Sequence, residues 1–317
     1  MKEYGGYIEL DRYSLPMLHE GAEALNCGRN ALAYLLKAKN IKKLLIPYFL
    51  CDSVPNLCKR ENIEYGFYHI GLDFSPVDLE LNNDEWLYVV NFYGQLTRLQ
   101  IIELKQKYKR VIVDNAQAYF DMPVDETDTL YTCRKFFGVA DGAFLYTDCK
   151  LENELPVDES FERMHFLLGR FERTASEFYG EYVSNNHLFA DEPVKKMSKL
   201  TDNLLHAIDY KLVKERRTAN FIIYENSLKE LNELKLNVPE GAFAYPLLIK
   251  NGAEIRKKLQ AEKIYIPTLW PFVFDVCAEN DIEYHMAEDI LPLPCDQRYS
   301  FEDINYIIGE LVRCMKK

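Results

Sequence analysis

Three side chains stand out for what they could do together. Asp114 ends the apolar run Val111-Ile112-Val113 and is followed by Asn115, Ala116 and Gln117; Lys135 comes one short strand later, after Thr132-Cys133-Arg134. In an open α/β sheet, ligands bind beyond the carboxyl ends of the strands, so charged residues there are the first candidates. A lysine amine can attack a carbonyl carbon or carry a proton. A carboxylate next to it can hold a positive charge. Cys27-Gly28-Arg29-Asn30 opens a helix whose first N–H groups could hold a phosphate. Taken singly, each has an ordinary reading. An aspartate after a strand is often a cap or turn, and a lysine is often a solvated surface residue.

The elements that must position these residues follow from hydrophobic periodicity. Arg29 to Leu36 has helical spacing after Gly28. Short β-rich runs follow near 43–49, 64–70, 86–94 and 110–117, and the segment between the last two reads as an amphipathic helix. Strand and helix alternating in this way predict a mostly parallel sheet flanked by helices. The runs at 129–133 and 143–147 are separated by too few residues for a parallel crossover, so the second is expected to run antiparallel. The stretch from Met197 to Leu231 is the longest helical candidate. Strand and helix alternate again from Ala242 to the end. We therefore expect a large α/β domain over 1–215 and a smaller C-terminal α/β domain over 216–317.

With 317 residues and 48% hydrophobic composition, the chain can bury a large core. A net charge of -12, with no block dense in Lys or Arg, argues against a nucleic-acid partner. The 8 cysteines show neither CxxC pairs nor zinc spacing, and the 6 histidines are dispersed. No metal site is expected. There is no apolar leader and no run of about 18 apolar residues, so the expectation is a cytoplasmic protein with no membrane segment.

In combination, four segments resemble the DegT/DnrJ/EryC1/StrS family of aminotransferases dependent on pyridoxal phosphate (PLP). They are Asn26-Cys27-Gly28-Arg29-Asn30-Ala31-Leu32; Val113-Asp114-Asn115-Ala116-Gln117-Ala118; Thr132-Cys133-Arg134-Lys135 with Asp141-Gly142-Ala143; and Leu291-Pro292-Leu293-Pro294 with Ser300-Phe301-Glu302-Asp303-Ile304. The resemblance implies a type I aminotransferase fold and an active site at a homodimer interface. It also implies transfer of an amino group from an amino acid, glutamate foremost, to a nucleotide-linked keto sugar in polysaccharide or secondary-metabolite synthesis. Lys135 would hold PLP as a Schiff base, Asp114 would face the pyridine nitrogen and Gln117 the ring hydroxyl. Gly28, Arg29, Asn30 and Thr132 would hold the phosphate. Burial, and Arg134 if it points inward, would lower the pKa of Lys135.

The chain also departs from that family. Leu130 stands where a phosphate-binding serine is usual, and Cys51 aligns where an aromatic stacks on the ring. The family's Gly-Tyr-Asn-Tyr-Arg segment, which reaches the neighbouring protomer, has no counterpart; Lys196-Met197-Ser198 occupies a similar place. Tyr93, Trp270 and Arg298 are candidates to meet substrate, each against an ordinary reading as turn, core or surface residue. Three rival functions are a PLP-fold protein that binds without turnover, a sugar dehydratase using PLP or PMP, and an enzyme with a Rossmann-like phosphate site. Lys135 argues against the dehydratase, and the lack of G-x-G-x-x-G argues against the last.

Overall fold

The computed structural model describes residues 4–77 and 79–316. Along the chain run β1 (Glu23–Leu25), α1 (Gly28–Ala38), β2 (Lys43–Pro47), α2 (Ser53–Glu61), β3 (Glu64–Ile70), β4 (Pro76–Val77), β5 (Trp86–Val90), α3 (Arg98–Tyr108), β6 (Val111–Asp114), β7 (Asp128–Thr132) and β8 (Ala143–Tyr146). They are followed by α4 (His165–Glu172), α5 (Tyr179–Leu188), α6 (Lys199–Leu205), α7 (Tyr210–Leu228), β9 (Ala244–Leu248), α8 (Gly252–Ala261), α9 (Val273–Val276), α10 (Ile282–Asp289), β10 (Ile290–Pro294) and α11 (Phe301–Met315).

β1 to β8 form one sheet in the order β1-β8-β7-β6-β5-β2-β3-β4. β3, β2, β5, β6 and β7 run parallel, whereas β8 and β4 are antiparallel to β7 and β3. The mostly parallel sheet and the reversed β8 are as the spacing predicts. β6 and β7 are buried along their whole length, as a parallel sheet covered by helices requires. The edges are β1 and β4, of three and two residues, too short to template pairing with another chain. Neither was expected from the sequence.

β9 and β10 pair antiparallel in a separate ladder, packed with α7, α8 and α11 around Phe221, Tyr224, Tyr245, Leu259, Leu293 and Leu311. The single long helix expected from Met197 is broken into α6 and α7. Backbone bonds from Ala207 to Leu204 and from Ile208 to Leu205 tighten the end of α6, and Asp209 then accepts from the Leu212 N–H to start α7. The expected division at 215/216 falls inside α7. Tyr210 and Val213 pack with the large sheet, whereas Phe221, Tyr224 and Leu228 belong to the second core.

The N-terminal arm is anchored by His19, which is fully buried. Its Nε2 lies 2.9 Å from the Tyr119 carbonyl and its Nδ1 3.2 Å from the Tyr146 hydroxyl, which suits the neutral imidazole as donor at one nitrogen and acceptor at the other. Burial pulls its pKa down to about 4, against a smaller upward push from the Tyr119 carbonyl. A histidine buried neutral stabilises the fold fully above its unfolded value, near 6.5, and loses that contribution as pH falls towards about 4. Between pH 7 and pH 5 the loss amounts to about 2 kcal/mol. Denaturant melts of wild type and His19→Gln at those two pH values should show a smaller drop in the variant; equal drops would contradict it.

Candidate active site

Parallel strands bring their carboxyl ends to one edge, and the candidate residues collect there. Val90 pairs with Asp114, and Asp114 with Leu130, so Asn91, Asp114 and Thr132 share that edge. Thr132 pairs with Ala143, and Ala143 with Leu25, which carries the first turn of α1 to the same place. A Cβ built on Gly28 would meet only the Thr132 Cβ, at 3.8 Å, leaving the helix N-terminus open to a ligand. The Arg29 and Asn30 side chains are engaged elsewhere. Arg29 donates to the Asn186 carbonyl, and the buried Asn30 amide donates to Asn26 Oδ1 and the Glu192 and Pro193 carbonyls. What this turn offers a phosphate is therefore its backbone N–H groups. Cys27, which precedes the helix, has its thiol pKa raised by burial, with the Asn30 and Arg29 amides and the Arg134 and Arg29 charges pulling it down.

Asp114 is buried at the end of β6. Burial pushes its pKa up, and three groups oppose this: the Lys135 charge, the Tyr88 hydroxyl and the Ala116 N–H. Tyr88 donates to Oδ2 at 2.6 Å, and Ala116 to Oδ1 at 2.7 Å. Tyr88 was not foreseen. The signal was present, because Tyr88 is two residues before Val90, the partner of Asp114, and therefore on the same face of the sheet.

Lys135 follows β7 in a turn, exposed, with its Nζ 5.6 Å from the centre of the Phe243 ring. The expectation of a desolvated lysine beside Arg134 needs correcting. Arg134 turns away, donating to Asn186 Oδ1 at 2.7 Å with its guanidinium 4.6 Å above the Phe189 ring. Gln117 is buried and its Oε1 accepts from the Tyr93 N–H at 2.8 Å, which leaves the side-chain nitrogen as the donor to a ligand.

The remaining expected residues have varied placements. Cys51 is half-buried, its Sγ 2.8 Å from Ser53 Oγ. The aromatics before it are committed: Tyr48 stacks on Phe67 at 4.7 Å, and Phe49 packs edge-on to Trp270 at 4.5 Å. Tyr93, at φ 54°, and Trp270, at φ 59°, are buried with each other and with Phe92. Those conformations are uncommon for bulky residues and are held by the surrounding core. Arg298 is exposed, and its guanidinium grips Asp296 at 2.7 and 2.8 Å. Asp141 is fully buried as a brace: it accepts from the Ser198 N–H at 2.8 Å, from Ser198 Oγ at 2.7 Å and from Thr201 Oγ1. Gly142, at φ 111°, follows it, where a Cβ would lie 3.0 Å from Thr201 and 3.1 Å from Cys133. Lys196-Met197-Ser198 is thereby built into the fold of its own chain, with Met197 also donating to the Ala24 carbonyl.

The fold is that of known sugar aminotransferases. DesV of S. venezuelae, solved in complex with a ketimine intermediate, superposes with a TM-score of 0.67 at 15% identity, over 93% of this chain and 85% of that one. A DegT DnrJ EryC1 StrS aminotransferase from Brucella abortus gives 0.60 at 16% identity, over 94% and 87%. NtdA of Bacillus subtilis, with bound cofactor PMP, gives 0.65 at 14%, over 93% and 73%. No protein-family model matches the chain, and no curated protein matches its sequence.

A buried carboxylate with one cation nearby lowers the stability of the ligand-free protein. Asp114→Asn should therefore raise the stability of the ligand-free protein by about 1 kcal/mol, or about 2–4 °C in Tm. A calorimetric scan showing a lower Tm would refute this account of Asp114.

Proposed function

We propose that this protein is a PLP-dependent aminotransferase that moves an amino group from an amino acid, glutamate foremost, to a nucleotide-linked keto sugar. The observation that carries the reading is a buried aspartate at the end of β6 and an exposed lysine in the turn after β7, both at the carboxyl edge of a sheet whose fold is shared with sugar aminotransferases, with the lysine's charge favouring the ionised carboxylate. When bound, PLP supplies the electron sink for charge developing at the donor's α-carbon. Lys135 would hold the cofactor covalently and move the proton at that carbon. Asp114 would keep a proton on the ring nitrogen, and the two hydrogen-bond donors on it, Tyr88 and Ala116, favour the ionised carboxylate this needs. The Gln117 side-chain nitrogen would donate to the ring hydroxyl, and the Gly28-Arg29-Asn30 amides and Thr132 would hold the phosphate. If Cys51 takes the place of the stacking residue, it would offer a thiol rather than an aromatic face.

Arg298 fits an anionic group on the substrate, which would compete with Asp296 for the guanidinium. Tyr93 and Trp270 would support the pocket from within the core. A homodimer fits both the exposure of Lys135 and the apolar side chains exposed on and before α4 and α5, Phe161, Leu168, Phe171 and Tyr179. Among the described residues no helix is long and apolar enough to cross a membrane. We place the enzyme in the cytoplasm, in polysaccharide or secondary-metabolite sugar synthesis.

Purified protein given PLP should turn yellow, and Lys135→Ala should not. Glutamate should bleach the wild-type colour and a suitable keto sugar restore it. A wild-type protein that stays colourless with PLP would sink the reading. Colour that no amino acid bleaches would favour a binding protein without turnover.

A further inference from the structure

Arg217, on α7, is 1% exposed, yet its hydrogen bonds all end on neutral oxygens: Gln297 Oε1 at 2.7 Å, the Ala242 carbonyl at 3.0 Å and the Phe136 carbonyl at 3.1 Å. Its guanidinium also lies 4.6 Å from the centre of the Phe136 ring. Burying a cation without a direct ion pair is costly, and the Asp296 charge nearby offsets this only in part. Burial pulls the pKa of Arg217 down to about 10, so it stays charged at neutral pH and the bonds persist. The carbonyl it holds belongs to the residue immediately after Lys135.

That carbonyl has a second donor, Gln297 Nε2, at 2.8 Å. On the other side, the Phe136 and Phe137 N–H groups both donate to the Cys133 carbonyl at 2.9 Å, and the Cys133 N–H donates to the Gly142 carbonyl at 3.0 Å. Lys135 is therefore the third residue of a tight turn, Cys133 to Phe136. Backbone of the large sheet fixes its entry. Its exit is fixed by two side chains from the C-terminal part of the chain, one on α7 and one just after β10.

We infer that Arg217 and Gln297 are positioning residues for Lys135: by clamping the Phe136 carbonyl they set where the lysine amine points. The inference rests on the proposed function for the lysine's role, whereas the clamp itself is independent of it. The competing account is that Arg217 only packs α7 against the turn. A packing residue would affect global stability and leave the turn's local mobility, and the amine's reactivity per folded molecule, unchanged.

Three variants of the full chain separate these accounts: Gln297→Ala, Arg217→Met and Arg217→Lys. The first readout is amide hydrogen exchange over residues 133–142 without cofactor. The second is the rate of visible adduct formation with pyridoxal, a carbonyl probe without a phosphate, so the phosphate contacts do not enter. In Gln297→Ala and Arg217→Met, exchange at Phe136 and Phe137 should rise and the adduct rate fall about tenfold. Arg217→Lys, which keeps a cationic donor, should lie between them and wild type. A lowered Tm with unchanged exchange and rate overturns the proposal. Should Arg217→Met not fold, Gln297→Ala decides alone, since it removes one donor and leaves the Arg217 bond to Phe136. A wild type that forms no adduct sinks the functional reading instead; the clamp is then judged by exchange, and unchanged exchange overturns it.

Discussion

The carboxylate of Asp114 sets the terms for everything around it. Such a group survives burial only if it is hydrogen-bonded and has a compensating charge nearby. β5 provides the Tyr88 hydroxyl, the turn after β6 provides the Ala116 amide, and the turn after β7 provides Lys135. The Ala116 amide is local to the turn, whereas the Tyr88 hydroxyl and the Lys135 charge come from the neighbouring strands on either side, which reach Asp114 because β5, β6 and β7 run parallel and end on one line. If the strand order were altered, the carboxylate would lose its partners.

Much of this was legible in the sequence because it depends on local patterns. The reversal of β8 follows from the short link after β7. The edge where Asp114 and Lys135 meet follows from two apolar runs ending in polar residues. The first turn of α1 follows from Gly28 ahead of an apolar stripe. In each case a residue type and its spacing have a direct steric or electrostatic meaning.

What was not legible depends on contacts between distant segments. Nothing local to Phe243 places it beside Lys135, and nothing around Arg217 marks it as a buried cation rather than a surface one in the sequence KERRTAN. Arg134 could equally have faced the lysine; the ring of Phe189 and the amide of Asn186 decide otherwise. The break before α7 hinges on one capping aspartate within a run of good helix formers. Tyr93 and Trp270 read as candidates for a pocket because they are aromatic and near the right strands, but their rings lie within the core.

α7 runs uninterrupted for 19 residues through two cores, with Tyr210 and Val213 in one and Phe221, Tyr224 and Leu228 in the other. A rigid rod embedded at both ends is a poor hinge. Cutting the chain near its middle would strip apolar rings from whichever fragment lost the helix. Recombination that respects the fold must therefore keep α7 whole.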